Sequence, residues 1–282
     1  MRLPDLGSRV RLFGWASLVA NIVIVVTGGA VRLTGSGLGC PTWPRCTGSS
    51  FTPHGALSIH QAIEFGNRTL TFALTVVAVL TIVSAWQTGR RELRSLGLVL
   101  LLGIPAQAVI GGITVLTDLN PWIVSLHLLC SLAIIAVAVL FLWRINRPTA
   151  VVVRDRRNLL ATLTAAAGIA VLYVGTVVTG SGPHAGDRLV PRNGLDPLQL
   201  SQAHADLVFL LIGLTVALVL LAPPEARRAP TWLLGIELSQ GLIGFVQYFS
   251  GLPVLLVGFH VLGAALIAAA LAWTVLAVRE RA

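Results

Sequence analysis

Leu12-Phe-Gly-Trp-Ala-Ser-Leu-Val-Ala-Asn-Ile-Val-Ile-Val-Val-Thr-Gly-Gly-Ala-Val31 runs for twenty residues without a formal charge. At a rise of about 1.5 Å per residue, that is a helix of roughly 30 Å, the thickness of a bilayer's hydrocarbon core. The run is long enough to span and has no small-residue exit site, so it reads as a span and not as a cleaved leader. Similar runs recur at 65–86, 95–115, 122–143, 158–179, 200–221, 230–249 and 254–277. Breakers stand between them at Asn120-Pro121, Pro148, Pro191, Pro223-Pro224 and Pro253. A mean hydropathy of +0.85 with only 11% charged residues excludes a soluble domain of this length. The expected fold is an all-α membrane protein of eight transmembrane helices. They would form two pseudo-symmetric four-helix bundles, residues 1–150 and 151–282.

The net charge of +9 comes from twenty arginines and no lysine. It invites a nucleic-acid reading, which the placement of the charges rejects: they lie in short loops between spans. One set of loops holds fifteen arginines (2, 9, 11, 90, 91, 94, 144, 147, 154, 156, 157, 227, 228, 279 and 281). The opposite set holds five: Arg32, Arg45, Arg68, Arg188 and Arg192. The positive-inside rule then puts both termini in the cytoplasm and the long loops at 32–60 and 180–199 outside.

An internal repeat supports the two halves. Gln107-Ala-Val-Ile-Gly111 resembles Gln240-Gly-Leu-Ile-Gly244 at an offset of 133, and His127 and His260 have the same separation. Thr34-Gly-Ser-Gly37 recurs as Thr179-Gly-Ser-Gly182. Four spans per repeat is an even number, so the halves share one orientation about an axis along the membrane normal. Transporters are built this way too, so the repeat does not give a function.

Polar residues mark the outer ends of the even-numbered spans: Glu64 and Asn67, His127, His204 and His260. The three histidines share one depth, roughly 8–9 Å below the helix ends. Ionisable groups there are costly and mark function by default, although a histidine can also be hydrogen-bonding glue between helices. Imidazole is a common haem-iron ligand, and two histidines on facing helices can clamp a porphyrin between them. His204 and His260 would be such a pair. Zinc or copper would ask for three or four ligands closing on one point.

Cys40 and Cys46, in Cys-Pro-Thr-Trp-Pro-Arg-Cys, lie on an outward loop where a disulfide is expected. Strain in so short a loop would ease its reduction, so it reads as structural or redox-active. Cys130 reads as a small core residue. Glu64 is a candidate general base or proton carrier, with a salt bridge to Arg68 at i+4 as the alternative. Arg32 and Arg68 are candidates for holding haem propionates, or simply snorkel at the interface. Glu237 and Asp206 are further intramembrane acids, Asp206 orienting His204 or pairing elsewhere. His54 and His184 read as solvated.

Taken together, Gly28–Cys40, the Trp43 loop to Cys46, Ile63-Glu-Phe-Gly-Asn-Arg68, Gln107–Gly111, His127, His204, Gln240 and His260 resemble the haem A synthase family over almost the whole chain. The resemblance implies an enzyme of the bacterial cell membrane that oxidises the C8 methyl of haem O to the formyl of haem A, for cytochrome c oxidase. It implies haem b on His204 and His260, with the haem sites toward the outer face. It places substrate haem in the N-terminal half, a catalytic role on Glu64 and the disulfide on Cys40 and Cys46. One departure stands out. Many members have histidine where this chain has Asn67, a poor iron ligand. Either His60, two turns earlier on a similar face, replaces it, which we favour, or His127 holds the substrate iron alone. The competing reading is a di-haem electron-transfer cytochrome of the b type that converts nothing. The electron-transfer partner, contact with the haem O-making enzyme and any homo-oligomer stay open.

Overall fold

A computed structural model describes residues 5–53, 58–147, 151–152, 156–187 and 189–281. His54 and Arg188 lie outside the described residues, as do Arg2, Pro148 and Arg154. The described chain forms eight long helices: α1 (Val10–Leu33), α2 (Ile59–Gln87), α3 (Arg91–Leu116), α4 (Pro121–Asn146), α5 (Arg156–Ser181), α6 (Pro197–Leu221), α7 (Pro224–Phe249) and α8 (Val254–Arg279). Each is at least 24 residues long, about 36 Å or more, so the helices extend past the apolar runs at one or both ends.

Local signals set those ends. Ser58 and Gln61 form a reciprocal capping box that starts α2 six residues before its apolar run. Asn120 and Asp196 cap α4 and α6 through side-chain oxygens that accept from Trp122 N and Leu198 N, each followed by proline at the first helical position.

Among the described residues seven helices are long and apolar enough to cross a membrane, and this is a multi-pass membrane protein. The expectation of eight needs a correction at α7. That helix has the length, but Glu237, Ser239, Gln240 and Gln247 dilute its apolar residues.

Helices α1 to α4 pack each against the next, and α1 closes on α4; α5 to α8 do the same, with α5 closing on α8. The two rings meet where α4 and α8 pack together, flanked by α1 on α8 and α4 on α5. The largest core cluster fills this seam with Leu18, Val25, Leu132, Ile135, Phe141 and Leu142. Ala138, Ala265 and Ala268 let the backbones of α4 and α8 approach closely there. At the end carrying the termini, β1 (Val151–Val152) pairs antiparallel with β2 (Glu280–Arg281). Arg144 bridges Glu92 at 2.7 Å and Glu280 at 2.6 Å, tying the last helix to α3 and α4.

Candidate functional site

The three membrane histidines lie at one level near the long-loop ends of their helices. His127 is six residues into α4, His204 seven into α6 and His260 six into α8, which is about 9–10 Å in each case. A neighbouring helix leaves a gap for each ring. A methyl placed on Gly111, Gly175 or Gly244 would stand 3.2, 3.0 or 3.7 Å from the Cε1 of His127, His204 or His260. The Nδ1 atoms of all three are buried and find no partner with hydrogen-bond geometry, although the Val171 carbonyl stands near His204.

His204 and His260 face each other across the C-terminal ring, with ring centroids 6.4 Å apart and planes at 75°. With metal–nitrogen bonds of about 2 Å, two imidazoles on opposite sides of one ion have centroids roughly 6 Å apart. The pair therefore fits two-ended ligation of a single haem iron. Among the described residues no three His, Cys, Asp or Glu side chains converge, so the donor set is not the closed cluster of a structural zinc site.

The N-terminal ring is different. His127 has its carbonyl capped by Gln107 Nε2 at 3.1 Å, and the same nitrogen reaches Ser131 Oγ at 2.6 Å. Asn67 Oδ1 accepts from the Thr27 hydroxyl at 2.8 Å. His60 sits in the first turn of α2, exposed, with Nδ1 3.0 Å from Ser36 Oγ. It lies seven residues, about 10 Å, outward of Asn67.

Glu64 and Arg68 form the anticipated i+4 pair at 2.6 Å, and they do more than pair. Glu64 is only 5% exposed, and its Oε2 accepts from Cys40 N at 2.6 Å. Arg68 spends its five N–H donors on Glu64 Oε1 twice and on the carbonyls of Cys40, Thr42 and Arg45. Together they clamp the loop closed by the Cys40–Cys46 disulfide, both of whose cysteines are wholly buried. The clamp seats Trp43 in a notch of α3 that only glycine permits: a Cβ on Gly112 would lie 2.3 Å from the indole. The preceding residue, Gly111, is the one that stands against His127.

Arg32 is also committed to main chain. Its Nε donates to His184 O at 2.6 Å and a terminal nitrogen to Thr179 O at 2.8 Å, clasping α1 to the end of α5 and the loop that follows it. His184, expected to be solvated, is half-buried with its ring 2.9 Å from Leu252 O. Asp206 accepts from Gln202 on its own helix. Glu237 accepts from Thr215 Oγ1 at 2.9 Å and is 2% exposed. Sequence reasoning missed Thr215, Thr27, Ser36 and the Trp43 notch, because each depends on which helices or loops come together.

A family model for cytochrome oxidase assembly proteins matches residues 11–186, more than half the chain. The match covers α1 to α5 and the clamped loop, and it ends before His204. The heme A synthase of Staphylococcus epidermidis is 26% identical over 222 residues, which is 71% of this chain and 73% of that protein. The heme A synthase of Lysinibacillus sphaericus is 33% identical over 134 residues, covering 46% of this chain and 43% of its own. That of Geobacillus thermodenitrificans is 29% identical over 125 residues, covering 44% and 38%.

Proposed function

This chain belongs to the haem A synthase family of cytochrome oxidase assembly proteins, and from that premise we propose how its two rings divide the work. The reaction is the oxidation of the C8 methyl of haem O to the formyl of haem A. The methyl passes to an alcohol and then to a hydrated aldehyde, which loses water. Each oxidation adds one oxygen from water and releases two electrons and two protons, the electrons passing to an external acceptor.

The observation that carries the division is the asymmetry of the donors. The C-terminal ring offers two imidazoles 6.4 Å apart, whereas the N-terminal ring offers His127 on α4 and, on α2, a carboxamide already bonded to Thr27. His204 and His260 hold haem b, which when bound supplies one-electron redox chemistry. His127 holds the iron of the substrate, haem O. His60, about 10 Å outward and tied to Ser36, stands at the mouth of the site and does not replace the missing ligand. One ligand suits a site that must admit one haem and release another.

Glu64 lies beside this site and takes the protons set free as the methyl loses hydrogen; the Cys40 amide fixes where its Oε2 points. Arg68 is saturated by Glu64 and the loop carbonyls, so it positions the loop and leaves the propionates to other groups. Arg32 spends two of its five donors on main chain and keeps the rest for a propionate. The closed rings α1–α4 and α5–α8, with α1 on α8 mirrored by α5 on α4, support a pseudo-two-fold arrangement of two four-helix halves. The fifteen-to-five arginine bias supports cytoplasmic termini and haem sites toward the outer face.

The test is expression in a host that makes haem O but not haem A, followed by chromatography of the extracted haems. Haem A in the extract is the expected result. An extract containing haem b alone would assign the chain as an electron carrier. His204→Ala and His260→Ala should each remove most of the haem b from purified protein, read by its Soret absorbance.

A further inference from the structure

The repeat places unlike residues at two matching buried positions. The offset of 133 that aligns Gln107 with Gln240 aligns Ile104 with Glu237. On α2 and α6 an offset of 137 aligns Asn67 with His204, Leu70 with Leu207, Phe72 with Phe209 and Leu74 with Leu211, and it sets Ala78 against Thr215. In the N-terminal ring, Ala78 and Ile104 are buried in one apolar cluster with Leu74. In the C-terminal ring the same two positions form a hydrogen-bonded hydroxyl and carboxyl.

Glu237 is almost wholly buried, its Oε2 has no partner, and no cation pairs with it among the described residues. An unpaired carboxylate in such a place is costly, and binding a proton removes the charge. Helix α7 packs against α6 and α8. Their titratable and charged groups are His204, Asp206, His260 and Arg279, and α7 itself adds Glu225, Arg227, Arg228 and Tyr248. All lie roughly 10–18 Å from Glu237 along the helix axes. The nearest along the axis is His260, whose ring stands against Gly244, seven residues from Glu237.

We propose that Glu237, steadied by Thr215, is a proton-binding site coupled to the redox group held by His204 and His260. When an electron released by methyl oxidation reaches that group, Glu237 takes one proton from water and its carboxylate becomes the neutral acid. When the electron leaves, the proton leaves with it, so the C-terminal ring gains no net charge. The inference rests on the haem assignment above. At a separation of about 12 Å and an effective dielectric near 20, one added electron changes the proton affinity of Glu237 about tenfold.

The experiment is redox potentiometry of the purified, haem-loaded full chain, followed by visible absorbance across a range of pH. The wild-type midpoint should fall as pH rises, by about 59 mV in total for a tenfold coupling. Glu237→Gln should keep its haem and lose that dependence; Thr215→Val should keep the displacement and move the pH at which it occurs. A wild-type midpoint independent of pH, or an unchanged dependence in Glu237→Gln, overturns the proposal. Should Glu237→Gln not fold, redox-difference infrared spectra of the wild type decide: a carboxylic-acid band must grow on reduction, and its absence overturns the coupling. Haem retained in both His204→Ala and His260→Ala would instead overturn the ligand assignment, and the coupling with it.

Discussion

The two rings pack their helices in the same order, and they differ at three levels. At the level of the histidines, the C-terminal ring has the His204–His260 pair and the N-terminal ring has His127 with Asn67. Deeper in, the C-terminal ring buries Glu237 on Thr215 where the N-terminal ring has Ile104 and Ala78. At the long-loop end, a disulfide-closed loop is clamped over the N-terminal ring alone. The contrast teaches that two four-helix rings packed in the same order can carry different side chains at matching places without changing their helices. On the proposed division of labour, the ring that keeps its ligand has two donors and a buried acid, and the ring that exchanges it has one donor and a shaped entrance.

The clamp is the sharpest place to test that contrast. Glu64→Ala strips Arg68 and the Cys40 amide of their acceptor. Breaking a buried charge pair from one side costs about 3–5 kcal/mol. Haem A formation should fall to background while haem b content holds, measured on the same extract. Glu64→Gln keeps an acceptor for Cys40 N–H, so it should preserve loop and disulfide, yet still lose activity if the carboxyl carries protons. Full activity in Glu64→Gln would reduce Glu64 to a structural clamp.

A smaller effect is expected from making the rings alike. Asn67→His gives the N-terminal ring a second imidazole at the level of His204. Purified protein should then retain close to two haems per chain, and haem A output should drop several-fold because release slows. Unchanged haem content would show that Asn67 does not face the substrate iron.

The smallest effects should come from the glycine gaps. Gly175→Ala puts a methyl 3.0 Å from His204 Cε1, so the ring must give way, at a cost of about 1–3 kcal/mol. Gly244→Ala leaves an ordinary 3.7 Å contact with His260 and should be nearly silent. Thermal loss of the haem b Soret band would rank the two, and equal behaviour would break the claim that these gaps set ring placement.

Much of this was legible in the chain before its fold. Seven spans follow from apolar runs that no soluble core would need, and the level of the histidines follows from counting residues inward from Pro121, Pro197 and Pro253. The i+4 spacing announced the Glu64–Arg68 pair, and the place of Cys40 and Cys46 on an outward loop announced the disulfide. The early start of α2 escaped a hydropathy reading because its first turn is polar and stands beyond the apolar run; only the Ser58 and Gln61 cap marks it. The loop clamp escaped because Arg68 reads main-chain carbonyls, which carry no residue signature. His184 escaped for the same reason, bonding as it does to Leu252 O. Glu237 was visible as an intramembrane acid, but its partner sits 22 residues away on another helix, which local spacing does not reveal.

The Arg32 clasp has a consequence for how such a chain can drift in sequence. Both of its acceptors are peptide oxygens, which every residue supplies. At Thr179 the side chain is therefore free to change so long as the backbone path is kept, whereas His184 is held by its ring on Leu252 O. The joint between the halves at this end is shared with the Gly37 N–H on Gly186 O and the Leu38, Leu119, Ala185 and Val190 cluster.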